Sequence, residues 1–176
     1  MKPVVLVTVG TDHHRFDRLM TWIESWLADG ATDRVHCIAQ HGVATPPRGA
    51  QSAPILSHPE LCRAFETAAV VVCHGGPATI AEARRRGHVP ICVPRDPGLG
   101  EHVDDHQQRF ARRIAHAGVV VLAETEPELR AALDRALAAP AEFRCAVPPG
   151  PATLPDPVLR VGHLIGSLLR DRVPRR

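Results

Sequence analysis

The residues best placed to do chemistry stand where an apolar run ends and a helix begins. Val70-Val71-Val72-Cys73 is followed by His74-Gly75-Gly76-Pro77, and then by a polar, helix-forming stretch carrying Thr79 and Glu82. Glycines let the backbone pass close to a ligand. Pro suits the first helical position, because the N–H it lacks would have no intrahelical acceptor. The free amides behind it lie at the positive end of the helix dipole, where a phosphate is favoured. Thr79 and Glu82 share a helix face, and a carboxylate there could accept hydrogen bonds from both hydroxyls of a ribose. The pattern is neither a G-x-x-x-x-G-K-[ST] loop nor G-x-G-x-x-G. The competing structural reading is a tight Gly-Gly turn, with Thr79 helping to cap the helix and Glu82 in solvent.

Three further places carry suitable residues. Val9-Gly10-Thr11-Asp12-His13-His14 ends another apolar run and offers substrate contacts, metal ligands or an ordinary exposed loop. Gly100-Glu101-His102-Val103-Asp104-Asp105-His106-Gln107-Gln108 holds two histidines four apart. With Asp105, His102 and His106 could ligate a metal, which would suggest a hydrolase. Against that stand a plain polar helix start, or His106 and Gln107 hydrogen-bonding a sugar. Arg95 could meet a phosphate or a uronic-acid carboxylate, or make a loop salt bridge. Arg84-Arg85-Arg86 reads as a solvated helix surface.

These residues need a frame that brings strand ends together. Val4 to Val9 reads as a buried strand, and Phe16, Leu19, Met20, Ile23, Trp26 and Leu27 recur at helical spacing. A strand at 35–39 follows, and 41–54 reads as loop. A short helix then leads into the strand 70–73. A helix over 77–86, a strand over 89–93, a loop, a helix over 103–116, a strand over 119–122 and a helix over 126–137 complete the alternation. Repeated strand–helix units with Val-rich strands predict an α/β, Rossmann-like open parallel sheet with helices on both faces. In such sheets ligands gather beyond the C-terminal ends of the strands.

The chain has 176 residues, which suits one domain with a terminal appendage. Aromatics are 3%, with no Tyr, so aliphatic side chains must fill the core, and a reading that needs stacking platforms for single-stranded nucleic acid is weakened. A formal charge of +2 is too small to argue for a polyanionic partner. The five cysteines are odd in number and form no CxxC, which fits free thiols in a reducing compartment. The N-terminus carries too short an apolar stretch for a signal peptide, and no run approaches a membrane span. The chain therefore reads as soluble and cytoplasmic. Residues 1–138 form the sheet domain, 139–157 a Pro-rich connector, and 158–176 an amphipathic helix with a basic tail.

The run His74-Gly75-Gly76-Pro77-Ala78-Thr79-Ile80-Ala81-Glu82-Ala83, with Gly87, Pro90, Pro94 and His106-Gln107, resembles the C-terminal domain of glycosyltransferase family 28. Val7-Thr8-Val9-Gly10-Thr11, with Phe16-Asp17 and Leu19, is similar to the small catalytic subunits of two-part transferases of lipid-linked GlcNAc transfer and exopolysaccharide synthesis. The resemblance covers roughly residues 3–138.

It implies a single half of a GT-B fold, the half that binds a UDP-sugar such as UDP-GlcNAc. Glu82 would hold the ribose. Thr79, with His74, Gly75 and Gly76, would face the diphosphate; His106 and Gln107 would contact the sugar, and Gly10 and Thr11 would line the cleft beside Arg95. It further implies inverting transfer without metal or cofactor. The acceptor would be lipid-linked, and a membrane-associated partner subunit would bind it and supply the base, placing this chain peripherally at the inner face of the membrane. Two departures stand out. Phe110 occupies a position where family members often carry Asn, and 176 residues leave no room for the acceptor half. A nucleotide-binding module without turnover is the remaining alternative.

Overall fold

A computed structural model describes residues 1–146. Six parallel strands form one sheet in the order β3-β2-β1-β4-β5-β6. They are β1 (Val4–Thr8), β2 (His36–Gln40), β3 (Gln51–Ala53), β4 (Ala68–Cys73), β5 (Ile91–Cys92) and β6 (Val121–Leu122). The helices are α1 (Asp17–Trp26), the one-turn α2 (Thr32–Arg34), α3 (His58–Thr67), α4 (Pro77–Arg85), α5 (His106–His116) and α6 (Glu126–Ala138).

Alternation along the central strands explains the layers. On β1, Val5 and Val7 point into a core shared with Leu19, Met20, Ile23 and Trp26 of α1 and Leu129 and Leu133 of α6. Leu6 points the other way, with Val71 of β4, Phe65 of α3 and Ala83 of α4. Cys73, Cys92, Ile80 and Ala111 join α4 and α5 on that second face. Strands sandwiched in this way must be apolar throughout, hence the Val runs. All five cysteines are free thiols, and Cys37, Cys73 and Cys92 are buried.

The structure departs from the sequence reading at its weak signals. β3 lies inside the stretch read as loop: it is a short, exposed edge strand of Gln, Ser and Ala, so it carries no apolar period. β5 and β6 are only two residues long, and β5 lies between Pro90 and Pro94, which cannot donate to a ladder. α5 begins at His106, because Gly100 adopts φ +70° and the Asp104 side chain accepts from the His106 N–H at 3.1 Å.

Residues just past 138 are packed rather than linking. Pro140–Phe143 forms a 3-10 turn and Phe143 is buried in the α1/α6 core. The Val89 N–H reaches the Phe143 carbonyl at 2.9 Å, and the Cys145 N–H reaches Gly87 at 2.9 Å. Proline content suggests a connector here, but the need to bury Phe143 decides it. The remainder of that connector, from residue 147, and the C-terminal helix over 158–176 lie outside the described residues. No helix among the described residues is long and apolar enough to cross a membrane.

Candidate functional site

The chain leaves β1 for β2 on one side and returns to β4 on the other, so the topological switch point falls between β1 and β4. The crevice beyond their C-terminal ends is where open α/β sheets place ligands. Gly10 follows β1 and His74-Gly75-Gly76 follows β4, and the two turns meet there.

Their meeting point is the His74 ring. A Cβ added at Gly10 would lie 2.6 Å from His74 Cε1, and one at Gly76 would lie 2.2 Å from Nε2. The ring is sandwiched by two glycines because nothing larger fits. His74 is 8% exposed, and neither ring nitrogen has a partner among the described residues; Nδ1 is enclosed. Burial, then the nearby Arg95 cation, pushes its pKa from 6.5 to about 4, so the ring is neutral at physiological pH. The third glycine serves α5: a Cβ at Gly75 would lie 2.9 Å from Gln107 Cβ, so its absence lets the α5 N-terminus come close.

The low His74 pKa has a consequence for stability. The unfolded chain binds a proton that the folded chain refuses between pH 6.5 and about 4. The contribution of neutral His74 is complete above 6.5 and is lost as pH falls through that window, amounting to about 2 kcal/mol at pH 5. His88, lowered by burial, adds in the same direction. Urea unfolding at pH 7 and pH 5 should show a smaller drop for His74→Gln than for the natural chain. An equal drop would remove His74 from the account.

Behind this corner α4 begins with Gly76 in extended conformation and Pro77 in its first turn, without a side-chain cap or an acidic residue there. Its leading N–H groups and positive dipole end are therefore free for an anion. Thr79 is half-buried and Thr11 exposed. Glu82, one turn on, is half-buried and already engaged, with Oε2 accepting from Arg85 Nη2 at 2.5 Å and Oε1 from Arg86 Nη1. Its pKa is lowered by these arginines against the opposing effect of burial. Arg86 also stacks over the Phe65 ring, 5.7 Å from its centroid, so the arginine triplet is not simply a solvated surface.

Arg95 is 0% exposed, so its guanidinium presents no N–H to the crevice, and its Nε is enclosed without an acceptor among the described residues. Its Nη1 donates to the His14 and Glu101 carbonyls at 2.9 and 3.1 Å, and its Nη2 to the Val9 carbonyl at 3.1 Å. It is a strut between the β1 and β5 loops, not an exposed phosphate contact or a loop salt bridge. The salt bridge belongs to Glu101, which takes a fork from Arg18 (2.9 and 2.8 Å) and the Asp96 N–H. Gln107 is likewise enclosed, against Gly75, whereas the His106 ring is about half exposed.

His106 shares Asp104, not Asp105, with His102. Asp105 sits at the start of α5 and its carboxylate turns along the helix to Arg109, 3.2 Å away. The triad His102/Asp105/His106 suggested by spacing is thus not assembled. Two residues organise the loops in ways the sequence did not announce, Gln40 outside any motif and Asp12 within the Val9–His14 stretch. Gln40, at the end of β2, donates to the Gly10 carbonyl at 3.0 Å and accepts from the Leu56 N–H at 3.2 Å; its only signal is a polar residue closing an apolar strand. Asp12 caps its own loop through the His14 N–H at 2.8 Å, an Asx turn. Burial opposes its ionisation, yet His14 and Arg95 hold its carboxyl at about 2.

A model of the glycosyltransferase family 28 C-terminal domain matches residues 4–144. The chain belongs to that family. The solved structures that this family 28 domain resembles include spinosyn forosaminyltransferase SpnP (TM-score 0.64, 20% identity, 94% of this chain and 44% of that one). The glycotransferase of kitacinnamycin (0.60, 21%, 80% and 36%) and MurG from Acinetobacter baumannii (0.57, 20%, 81% and 43%) are also similar. The chain spans less than half the length of each of them. Identities this low establish the shared fold, the α/β half of a GT-B architecture. A search among curated sequences gives no match.

Proposed function

We propose that this family 28 domain is the donor-binding half of an inverting, metal-independent glycosyltransferase. It moves a sugar from a UDP-sugar to a lipid-linked acceptor, together with a partner subunit that supplies the acceptor site. The observation that carries the reading is the corner at the switch point, where the unpartnered His74 ring adjoins the uncapped start of α4. A diphosphate fits there on charge and on hydrogen-bond donors.

The reaction then follows from the placement. The acceptor oxygen attacks the anomeric carbon from the face opposite the diphosphate. The bond from that carbon to the phosphate oxygen breaks, and the leaving UDP takes the electron pair. The α4 N–H groups stabilise the charge that grows on it. The acceptor's proton passes to a base on the partner. Glu82 keeps lone pairs beyond those its arginines occupy, and these accept the ribose hydroxyls. Thr79 and Thr11 border the diphosphate and the cleft, His106 reaches the sugar, and Arg95 and Gln107 act from within by fixing the loops.

A partner is supported by where apolar side chains are left uncovered. Among the described residues the exposed large hydrophobics, apart from Met1, are Val43, Ile55, Leu99 and Val103. Each lies on a segment leaving the C-terminal end of a strand, the same end of the sheet as the proposed site. A second subunit at that end covers them and closes the cleft. Such a partner, if membrane-associated, brings the chain to the inner face of the membrane.

Calorimetric titration with UDP-sugars tests the donor site. Glu82→Ala should weaken UDP-sugar binding by about 10- to 100-fold, the loss of two hydrogen bonds to a carboxylate, and leave inorganic pyrophosphate binding unchanged. No binding of any uridine nucleotide, or equal binding by the variant, would overturn the assignment.

A further inference from the structure

We propose that the loops leaving β1 and β5 form a binding site for a divalent transition-metal cation, anchored by Asp12 and His102. The site stands on its own geometry and not on the transfer reaction proposed above. Asp12 is fixed by its own turn: the His14 N–H and His14 Nδ1 both meet Oδ1, at 2.8 and 2.7 Å. Oδ2 is left to face His102 Nε2 across 3.4 Å. That gap is long for a hydrogen bond between these atoms. It is the right length for two ligands of one cation, since atoms about 2.1 Å from a tetrahedral metal lie about 3.4 Å apart. Neither side chain swings freely, for Asp12 is 23% and His102 12% exposed.

Other imidazoles and a carboxylate stand near this pair, and water fills the positions of the shell that they leave. Asp12, His13 and His14 offer ligand atoms within 4.8 Å of one another, and so do His102, Asp104 and His106. Asp12 meets the first triad through Oδ1 and His102 faces Asp104 of the second through Nδ1, so Oδ2 and Nε2 are the atoms left for the cation between them. The imidazoles run as a chain, with ring centres 4.0 Å apart for His13 and His14, 5.8 Å for His14 and His102, and 4.7 Å for His102 and His106.

The partners of the carboxylates are telling. In a chain with 21 Lys and Arg, Asp17, Asp29, Asp105 and Asp134 each take an arginine. Among the described residues Asp12 and Asp104 form ion pairs with histidines alone. A set of imidazoles and carboxylates suits Zn²⁺, Co²⁺ or Ni²⁺ and not Mg²⁺ or Ca²⁺, which prefer oxygen ligands throughout. A cation here ties the β1 loop to the β5 loop from outside, as Arg95 does from within. It also adds positive charge within electrostatic reach of His74, which already feels Asp12 and His102.

The test uses the full chain, stripped with a chelator and titrated with ZnCl₂ alone. One equivalent of Zn²⁺ per chain is expected, and Co²⁺ in its place should give the visible absorption of a four-coordinate N/O site. Asp12→Asn and His102→Gln should each weaken uptake by more than about 100-fold, beyond the range for losing an outer-shell partner. Cys62→Ser, which removes the thiol beside His58, should change nothing. Circular dichroism in chelator identifies any variant that fails to fold, and the wild-type Co²⁺ spectrum stands independently of the variants. Absence of stoichiometric uptake, a six-coordinate Co²⁺ spectrum, or uptake retained by the folded double variant would overturn the site.

Discussion

Arg95→Ala is expected to lower the stability of the domain by about 3–5 kcal/mol, a large part of what a domain of this size has. Two of its nitrogens satisfy three main-chain carbonyls, those of Val9, His14 and Glu101, and its guanidinium lies over the Phe16 ring, 4.8 Å from the centroid. Truncation orphans two buried acceptors and one half-buried one and opens a cavity beneath the rim, and these effects are costly. Arg95→Met separates them: it fills most of the volume but leaves the carbonyls unpaired, so about half the loss should remain. Arg95→Lys should rescue little, because one ammonium on a flexible stem does not reproduce the fork. Urea unfolding with a common slope measures all three. A loss below about 1 kcal/mol for Arg95→Ala would mean that water replaces the guanidinium and that the strut is dispensable.

The role of Arg95 also shows where sequence reasoning stops. An arginine just past a strand end reads equally well as a phosphate contact, and only burial distinguishes a strut from a ligand. Elements with a strong period were legible: the Val runs of β1 and β4, α1 with its buried stripe, and the Gly-Gly-Pro start of α4. The short edge strand β3 was not, since Gln51-Ser52-Ala53 is polar and is held by its place beside β2 alone. Asp104 and Asp105 were indistinguishable in sequence. Which carboxylate meets the histidines depends on where α5 begins, and the turn at Gly100 sets that. The glycine at 75 announced close approach, but not that the neighbour would be Gln107 from another helix. Long-range packing of this kind leaves no trace in local spacing.

Gly10→Ala should damage the site most directly, and a comparison with Gly76→Ala should reveal why. Both substitutions place a methyl against the same ring, 2.6 Å from Cε1 at position 10 and 2.2 Å from Nε2 at position 76. His74 is held from both sides, so relief from one glycine drives the ring toward the other or out into the crevice. Overpacking of this kind costs about 1–3 kcal/mol. Gly10 carries a second penalty, for its φ of +72° lies in the left-handed region, where a side chain adds roughly 1–2 kcal/mol. Gly76, at φ −77°, carries none. A second substitution, His74→Ala, removes the ring and with it the clash. It should therefore restore most of the stability lost by Gly76→Ala, but only part of that lost by Gly10→Ala, the remainder being backbone strain. Neither double variant should recover UDP-sugar binding, because the ring is itself part of the anion corner and a displacement of about 1 Å there costs on the order of 100-fold. Equal rescue at both positions would show that the loop relaxes out of the left-handed region. Recovered binding without the ring would leave the α4 amides as the whole of the diphosphate site.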